Sequence, residues 1–327
     1  MLTDNHGRPV TYLRLAVTDR CNLRCLYCMP AGGLDWVPKS ELLSFEEILV
    51  LLRVASSLGI TKLRLTGGEP FLRKDLMDLI RRIQKERLFP QVSITTNGTL
   101  TAPWVPELKS LGIHSVNLSA DTLDAARFAR MTRRAELAPV LETLDALLHV
   151  RLPARINAVI MEGKNEEDLL ALAELSTRHP VGIRFIEEMP FNGSGGYQPI
   201  RWNWKVMLDK LREHFPTLEK IPDEPHSTSI NFRIPGAPGT LGIIPAYTRS
   251  FCGTCNRIRI TPKGMLKTCL YDEGVLDLHA MLRHGAGIAE IRSAIVQAIG
   301  HRPANGFEAE TRRRNHEVGE SMATIGG

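Results

Sequence analysis

The chain has 327 residues, 43% hydrophobic and 24% charged, which is the composition of a globular protein large enough for a barrel-sized domain and a smaller one. No apolar run approaches about 20 residues, and the polar stretch 1–9 lacks the apolar segment of a signal peptide, so we expect no membrane span and a cytoplasmic location. The net charge of +5 suits an anionic substrate, but the lysines and arginines form a run only at 312–314, which we interpret as a solvated surface stretch rather than a nucleic-acid interface.

Short strand-like runs alternate with helical ones from Tyr12 to about Pro216. The strands are predicted at 12–18, 61–67, 92–97, 115–120, 154–161 and 182–188. The helices are predicted at 44–58, 75–87, 101–111, 123–150 with a break near Pro139, 165–178 and 203–215. The first helix opens with a capping box formed by Ser44 and Glu47. Six such units in series require parallel pairing with right-handed crossovers, so the fold class is α/β.

One face of each predicted strand is polar and the other apolar. A parallel sheet buried on both faces is nearly all apolar, and a closed eight-stranded barrel fills its lumen with branched apolar residues. The polar faces carry Arg14, Thr18, Arg64, Thr66, Ser93, Thr95, Asn117, Ser119, Arg155 and Asn157. This pattern predicts an incomplete TIM-type (βα)6 barrel that surrounds a large polar ligand.

The composition of the sequence changes after Phe215, where prolines become frequent. Antiparallel strands are predicted at 229–234, 241–244, 256–261 and 265–271, and helices at 276–283 and 288–299. The segment from His301 onward is polar and non-periodic, so we expect it to be mobile when unliganded. We therefore place a domain boundary between residues 1–216 and 217–327.

Three cysteines, Cys21, Cys25 and Cys28, lie within eight residues just after the first predicted strand. At such spacing in a cytoplasmic protein, cysteines favour metal binding over disulfides. Their thiolates suit an iron-sulfur cluster or zinc, but zinc needs a fourth ligand that this loop does not supply. Three thiolates on a cubane cluster leave one iron open for chemistry.

A second trio consists of Cys252, Cys255 and Cys269. The gap before Cys269 is long enough for a strand, a turn and a returning strand that brings it back to the first two. The trio predicts a second cluster with its own open iron. The alternative is a structural zinc ribbon completed by His226 or His279.

Arg257 and Arg259 lie between Cys255 and Cys269 and are two residues apart on a predicted strand. They therefore project on one face, about 6.5 to 7 Å apart. That span suits a polyphosphate, which guanidinium groups bind by paired hydrogen bonds, although surface arginines are the simpler alternative. Arg14, Arg64 and Arg155 in the predicted lumen favour the polyphosphate.

The spacing C-x3-C-x2-C, with Tyr27 before the last cysteine and Thr66-Gly-Gly-Glu-Pro70 after the second strand, resembles the radical S-adenosylmethionine superfamily. The resemblance implies that the open iron chelates the amino and carboxylate groups of S-adenosylmethionine. It also implies contacts to this cofactor or to substrate from residues at or near strand ends. The residues carried over for S-adenosylmethionine are Tyr27, Gly68, Ser119 and Met189, and the one carried over for substrate is Thr95.

A narrower set of motifs resembles the GTP 3',8-cyclase family of molybdenum cofactor biosynthesis. These motifs are Phe185-Ile-Glu before Met189-Pro, Phe251-Cys-x2-Cys-Asn-Arg-x-Arg, a lone later cysteine and a terminal Gly-Gly. The resemblance implies a barrel whose open side is covered by a C-terminal antiparallel sheet and helices, two [4Fe-4S] clusters, and a homodimer. It further implies GTP as substrate, bound through Arg14, Arg64, Arg155, Arg257 and Arg259, a one-electron donor such as a flavodoxin or ferredoxin, and a downstream pterin-forming enzyme.

The chain departs from that family pattern at two positions. Arg155 stands where many members have lysine, and Glu320 stands where the tail usually has arginine. At position 155 a planar guanidinium group therefore replaces the ammonium group of lysine. At position 320 a carboxylate replaces a guanidinium group, which leaves the role of the tail open. Two further hypotheses are a radical enzyme acting on a peptide or another nucleotide, and a zinc-ribbon protein that binds nucleic acid.

Overall fold

Parallel strands alternate with helices along most of the chain in a computed structural model that describes residues 2–189, 191, 200–313 and 320–326. The strands are β1 Tyr12–Ala16, β2 Lys62–Thr66, β3 Gln91–Thr96, β4 Ser115–Ser119, β5 Ala154–Ile160, β6 Gly182–Glu187, β7 Glu219–Lys220, β8 Ile230–Arg233, β9 Thr240–Ile244, β10 Arg257–Ile260, β11 Met265–Lys267 and β12 Leu276–Asp277. The helices are α1 Phe45–Ser57, α2 Leu76–Glu86, α3 Val105–Ser110, α4 Ala125–Thr132, α5 Leu137–His149, α6 Asp168–Arg178, α7 Trp204–His214, α8 Leu278–Arg283, α9 Ile288–Ile299, α10 Gly306–Thr311 and α11 Met322–Ile325.

The six predicted βα units are all present, which confirms the α/β class. The capping box of α1 is also confirmed, because Ser44 Oγ accepts from the Glu47 amide at 3.1 Å and Glu47 accepts in return from the Ser44 amide at 2.6 Å. The long helix predicted at 123–150 breaks earlier than expected, at Arg133, whose φ is +56°. Pro139 instead lies in the first turn of α5, where proline costs no hydrogen bond.

One expectation for the C-terminal part is wrong, and two helices there were not predicted. The region after His301 contains α10 and α11, and its mobility in the absence of ligand stays a prediction. Arg313, assigned to a solvated basic run, is only 7% exposed, and its Nη1 donates to the Tyr271 carbonyl at 3.2 Å. The run of charges at 312–314 could not predict this burial, because the partner of Arg313 lies 42 residues earlier in the sequence.

The chain divides into two units, each assembled from separate stretches of sequence. The first unit comprises Met1–Asn22, Leu34–Ile94 and Cys252–Gly327, and the second comprises Leu23–Gly33 and Thr95–Phe251. The C-terminal strands are shared between them, with β10 to β12 in the first unit and β7 to β9 in the second. The domain boundary placed between 216 and 217 stays a prediction.

In the first unit the strand order is β12-β11-β10-β1-β2-β3. The pairs β10–β1, β1–β2 and β2–β3 are parallel, and β10–β11 and β11–β12 are antiparallel. The apolar faces of β1 and β2 are fully buried through Leu13, Leu15, Leu63 and Leu65, each 0% exposed. The opposite faces carry the cationic residues described below.

In the second unit the order is β4-β5-β6-β9-β8-β7. The first four strands pair in parallel and the last three antiparallel. The strand pair predicted as an antiparallel extension, β8 and β9, is confirmed as antiparallel, but β9 also continues the parallel part beside β6. Among the described residues, none of the helices has both the length and the apolar composition needed to cross a bilayer.

The turn after β2 packs directly on the segment that leads from β1 to Cys21. The Gly68 amide donates to the Thr18 carbonyl at 2.8 Å, and the Glu69 amide donates to the Arg20 carbonyl at 2.7 Å. A Cβ on Gly68 would lie 2.5 Å from the Asp19 carbonyl oxygen and would collide with the Arg20 carbonyl. Glycine is therefore required here by close approach of backbone to backbone.

We predict that Gly68→Ala lowers the free energy of unfolding by about 1 to 3 kcal/mol, because two backbone carbonyls cannot both move away from the added methyl group. Urea unfolding of the purified chain measures the change. Gly32→Ala is the matched control, since no heavy atom lies within 4 Å of its would-be Cβ, and it should stay within about 0.5 kcal/mol of the parent. Equal midpoints for the two variants would contradict the close packing at Gly68.

Candidate functional site

Cationic side chains are concentrated around β1 in the first unit. The parallel register places Arg14 beside Arg64 on one side and beside Arg259 on the other. Two residues earlier along β1, the same register places Tyr12 between Lys62 and Arg257. The predicted arginines of β1, β2 and β10 are therefore brought together by strand pairing, as expected for a polyphosphate site.

Burial and neighbouring positive charges lower the pKa of two of these arginines, Arg14 and Arg259. Burial and the neighbouring Arg259 charge hold the pKa of Arg14 well below its ordinary value. Burial and Arg257 lower the pKa of Arg259 to about 10. Arg14 Nε is a buried donor with no hydrogen-bond partner in the part of the chain that the structure describes. A bound anion would both balance these charges and accept from that donor.

Tyr12 lies within this cluster and was not predicted as a site residue. Arg64 Nε donates to its hydroxyl oxygen, and Lys62 Nζ lies 5.0 Å from the ring centroid. Burial alone would raise the pKa of Tyr12, but the charges of Arg64, Arg14, Lys62 and Arg257 outweigh burial and lower it to about 8. The signal in the sequence was available, because Tyr12 shares the strand face of Arg14.

The C-terminal segment reaches the same strands. Arg259 Nη1 donates to the Gly326 carbonyl at 2.5 Å. Gly326 has φ +76°, and a Cβ there would lie 2.9 Å from Ala16 Cβ and from Thr66 Cγ2. Gly326 therefore occupies a place at the ends of β1 and β2 that a larger residue could not enter.

Glu320, the unusual residue of the tail, has a buried partner. It accepts from Lys267 Nζ at 2.7 Å, and Lys267 is 1% exposed. Arg313 Nη2 donates to the same carboxylate oxygen at 3.3 Å. A carboxylate thus anchors the start of this segment to two cations, which gives the departure from the family pattern a structural role.

The second cysteine trio is assembled in the first unit. The Cys255 amide donates to the Cys252 carbonyl at 3.2 Å, which forms a tight turn. Burial raises the pKa of Cys269 to about 11, and charges on Asp272, Cys255 and Cys252 add to that rise. Burial opposes ionisation of Cys255, but Arg257 and Arg302 outweigh burial and lower its pKa to about 6.

These properties fit a thiolate-bound cluster. One thiol ionises readily, two cations stand beside it, and all three sulfurs are soft ligands. Within the described ranges, no three side chains of His, Cys, Asp or Glu form a ready set around one metal ion.

The first cysteine trio is divided between the units, with Cys21 in the first and Cys25 and Cys28 in the second. The Cys28 amide donates to the Cys25 carbonyl at 3.0 Å, and charges on both thiols raise the pKa of Tyr27, which burial already raises. Tyr27 also forms a side-chain hydrogen bond with Asp121, whose pKa burial raises to about 7. The aromatic residue of the motif therefore fastens the cysteine loop to the end of β4.

The remaining predicted site residues of the second unit lie along its parallel strands. Register places Arg155 beside Asn117, and Asn157 beside Ser119 on one side and Arg184 on the other. Gly182 leaves room for Arg155, whose Cγ lies 3.4 Å from the glycine's would-be Cβ. Thr95 lies near the end of β3 and Met189 follows β6. The binding roles assigned to Thr95, Ser119, Arg155 and Met189 stay predictions.

Two family profiles cover most of the chain. Residues 15–176 match the Radical SAM superfamily. Residues 181–308 match the family described as Molybdenum Cofactor Synthesis C. Among solved structures, the crystal structure of Streptococcus suis SuiB bound to S-adenosylmethionine has a TM-score of 0.60 with 16% sequence identity, over 88% of this chain and 68% of that one. At such identity the likeness shows the fold alone.

Curated relatives are similar over nearly the whole chain. The GTP 3',8-cyclase of Pelotomaculum thermopropionicum is 40% identical over 335 aligned residues, covering 100% of both chains. The human protein named Molybdenum cofactor biosynthesis protein 1 is 41% identical over 308 residues, which are 92% of this chain and 48% of that protein. The chain thus spans about half the length of the animal relatives that it matches. From these matches and the motifs they contain, the chain belongs to the GTP 3',8-cyclase family within the radical S-adenosylmethionine superfamily.

Proposed function

We propose that the chain cyclises GTP to (8S)-3',8-cyclo-7,8-dihydroguanosine 5'-triphosphate, an early step of molybdenum cofactor biosynthesis. The observation that carries the proposal is the partly buried cationic cluster around β1, which lies in the same unit as the second cysteine trio. The family supplies the reaction type, and the cluster of arginines supplies the reason for a triphosphate substrate.

Membership of the superfamily implies S-adenosylmethionine and one [4Fe-4S] cluster, which together supply a primary carbon radical that can remove a ribose hydrogen. Cys21, Cys25 and Cys28 are the residues proposed to hold that cluster. We assign a second [4Fe-4S] cluster to Cys252, Cys255 and Cys269. An arginine rather than a histidine stands at the Cys255 sulfur, with Arg302 Nη2 at 3.1 Å, which favours a cluster over a zinc ribbon because guanidinium cannot coordinate a metal.

The residues around β1 would bind and orient the nucleotide. Arg14, Arg64 and Arg257 offer guanidinium groups to the phosphates, and Arg259 shares its donors with the Gly326 carbonyl. Cations brought together by strand register hold a polyanion in one position, and this lowers the entropic cost of bringing the ribose 3' carbon to guanine C8. The tail residue Gly326 narrows the end of the same strands and would help to exclude water from a radical reaction.

We further propose a one-electron donor such as a flavodoxin or ferredoxin, a downstream enzyme that forms the pterin ring, and assembly as a homodimer. These partners follow from the family resemblance.

Iron content tests the two-cluster assignment. Anaerobically reconstituted protein should be brown with about eight irons per chain, and Cys252→Ala should retain about half of them. Cys21→Ala is the matched variant, because it should also lose about half while leaving the other trio intact. A colourless zinc protein would overturn the assignment of both sites.

Turnover tests the substrate. With S-adenosylmethionine, a reductant and GTP, 5'-deoxyadenosine should form together with a cyclised nucleotide. Arg14→Met should raise the KM for GTP by about tenfold or more, since a desolvated phosphate contact is worth about 1.5 to 3 kcal/mol. Arg53→Met removes an exposed ion pair with Glu86 and should leave the KM unchanged. Formation of 5'-deoxyadenosine that is indifferent to GTP would refute the substrate while leaving the superfamily assignment intact.

A further inference from the structure

Arg302 is a buried hub that contacts the second cysteine trio directly. Its side chain is 2% exposed. Its guanidinium donates to three carbonyls, those of Cys255 at 2.9 Å, Arg257 at 2.7 Å and Thr268 at 2.8 Å. It also donates to Asp4 Oδ2 at 3.3 Å and to Cys255 Sγ at 3.1 Å. All three of its nitrogens are therefore engaged, so that Arg302 cannot turn away to bind substrate.

Arg8 also donates to the Asp4 carboxylate, but at the cysteine turn it contacts a backbone carbonyl rather than a sulfur. Arg8 Nε donates to Asp4 Oδ2 at 2.7 Å, and Arg8 Nη1 donates to the Cys252 carbonyl at 3.0 Å. Arg8 is 6% exposed, and both arginines thus belong to one buried network with Asp4. Within this network, Arg302 contacts the Cys255 sulfur directly.

The contact between guanidinium and sulfur has an electronic consequence for any cluster bound there. A reduced cluster carries one more negative charge than an oxidised one, and part of that charge resides on its cysteine sulfurs. A fixed, buried positive charge that donates a hydrogen bond to one of those sulfurs stabilises the reduced form more than the oxidised form. Hydrogen bonds to the sulfurs and net charge are among the factors that set the potentials of iron-sulfur clusters.

Arg257 acts on the same cysteine in a different way. Its side chain also hydrogen-bonds to Cys255, but it lies in the strand register of Tyr12 and is assigned above to the phosphates. A phosphate would compete for that guanidinium. Arg302 has no such competitor, because its partners are carbonyls, the Asp4 carboxylate and the thiol.

We propose that Arg302 sets the reduction potential of the second cluster, raising it through the hydrogen bond to Cys255 Sγ while holding the cysteine turn in place. Arg302 is thus a positioning residue that acts through a ligand. The proposal rests on the second cluster assigned above. The electron that the cluster gains on reduction comes from the one-electron donor class already named, and no bond of the protein is broken.

The test uses a parent variant in which Cys21, Cys25 and Cys28 are all changed to Ala, so that only the second trio can hold a cluster. The midpoint potential is measured by anaerobic titration followed by electron paramagnetic resonance. Arg302→Met should shift the midpoint to a clearly more negative potential. Arg8→Met, which breaks the same network without removing the sulfur contact, should give a much smaller shift.

Each outcome is decisive for one claim. A parent that binds no iron refutes the second cluster. Equal shifts in the Arg302 and Arg8 variants, or none, refute the proposal while the cluster stands. If Arg302→Met cannot hold iron, the parent that also carries Arg257→Lys and is labelled with [15N]arginine decides. Arg257→Lys removes the other guanidinium that hydrogen-bonds to Cys255, so the Arg302 nitrogen next to the sulfur should couple to the reduced cluster's electron spin. Absence of that coupling would overturn the proposal.

Discussion

The accumulation of positive charge around β1 is the constraint on which the rest of the first unit depends. Parallel pairing aligns Arg14, Arg64 and Arg259 side by side. Arg64 and Arg259 are buried, so solvent does not relieve the repulsion between their charges. The protein moderates this charge with the Tyr12 hydroxyl, the Gly326 carbonyl and the nearby thiols, which are weak or neutral partners. Repulsion among the arginines raises the free energy of the site when no anion is bound, so binding of an anion is strongly favourable. A triphosphate provides several negative charges in one ligand.

The two ends of the chain build this unit together. Asp4 and Arg302 are 298 positions apart, yet they pair beside the second cysteine trio, and Glu320 is anchored on the buried Lys267. The cysteine turn is consequently held by the N-terminal segment as well as by its own strands. Loss of either end would loosen the trio, whereas the second unit keeps its own sheet of β4 to β9.

Local patterns were sufficient for most of the fold. Alternation of polar and apolar residues located all six parallel strands, and the Ser44–Glu47 box located the start of α1. The six cysteines and the arginine pair of β10 were found from spacing alone. The predicted polar faces also placed Arg14 and Arg64 in the lining of the predicted lumen, and the strand register makes them neighbours.

Long-range partners set the limit of what the sequence could predict. Arg302 and Arg313 look like surface residues in a polar segment, and only the folded chain brings carbonyls and carboxylates around them. Tyr12 was overlooked because an aromatic residue on a strand ordinarily indicates packing. The lowered pKa of Tyr12 depends on four cations contributed by three different strands.

Ionisation of Tyr12 tests the central claim most directly, because its pKa reports the charge around β1. Difference spectrophotometry between the parent protein and Tyr12→Phe should show a tyrosine that ionises near a pKa of about 8 without nucleotide. Binding of GTP should raise that pKa toward the ordinary value near about 10, since the triphosphate offsets the cations, whereas guanosine should leave it unchanged. A Tyr12 that ionises near its ordinary pKa without nucleotide, or whose pKa does not respond to GTP, would contradict the proposal that these arginines bind the triphosphate.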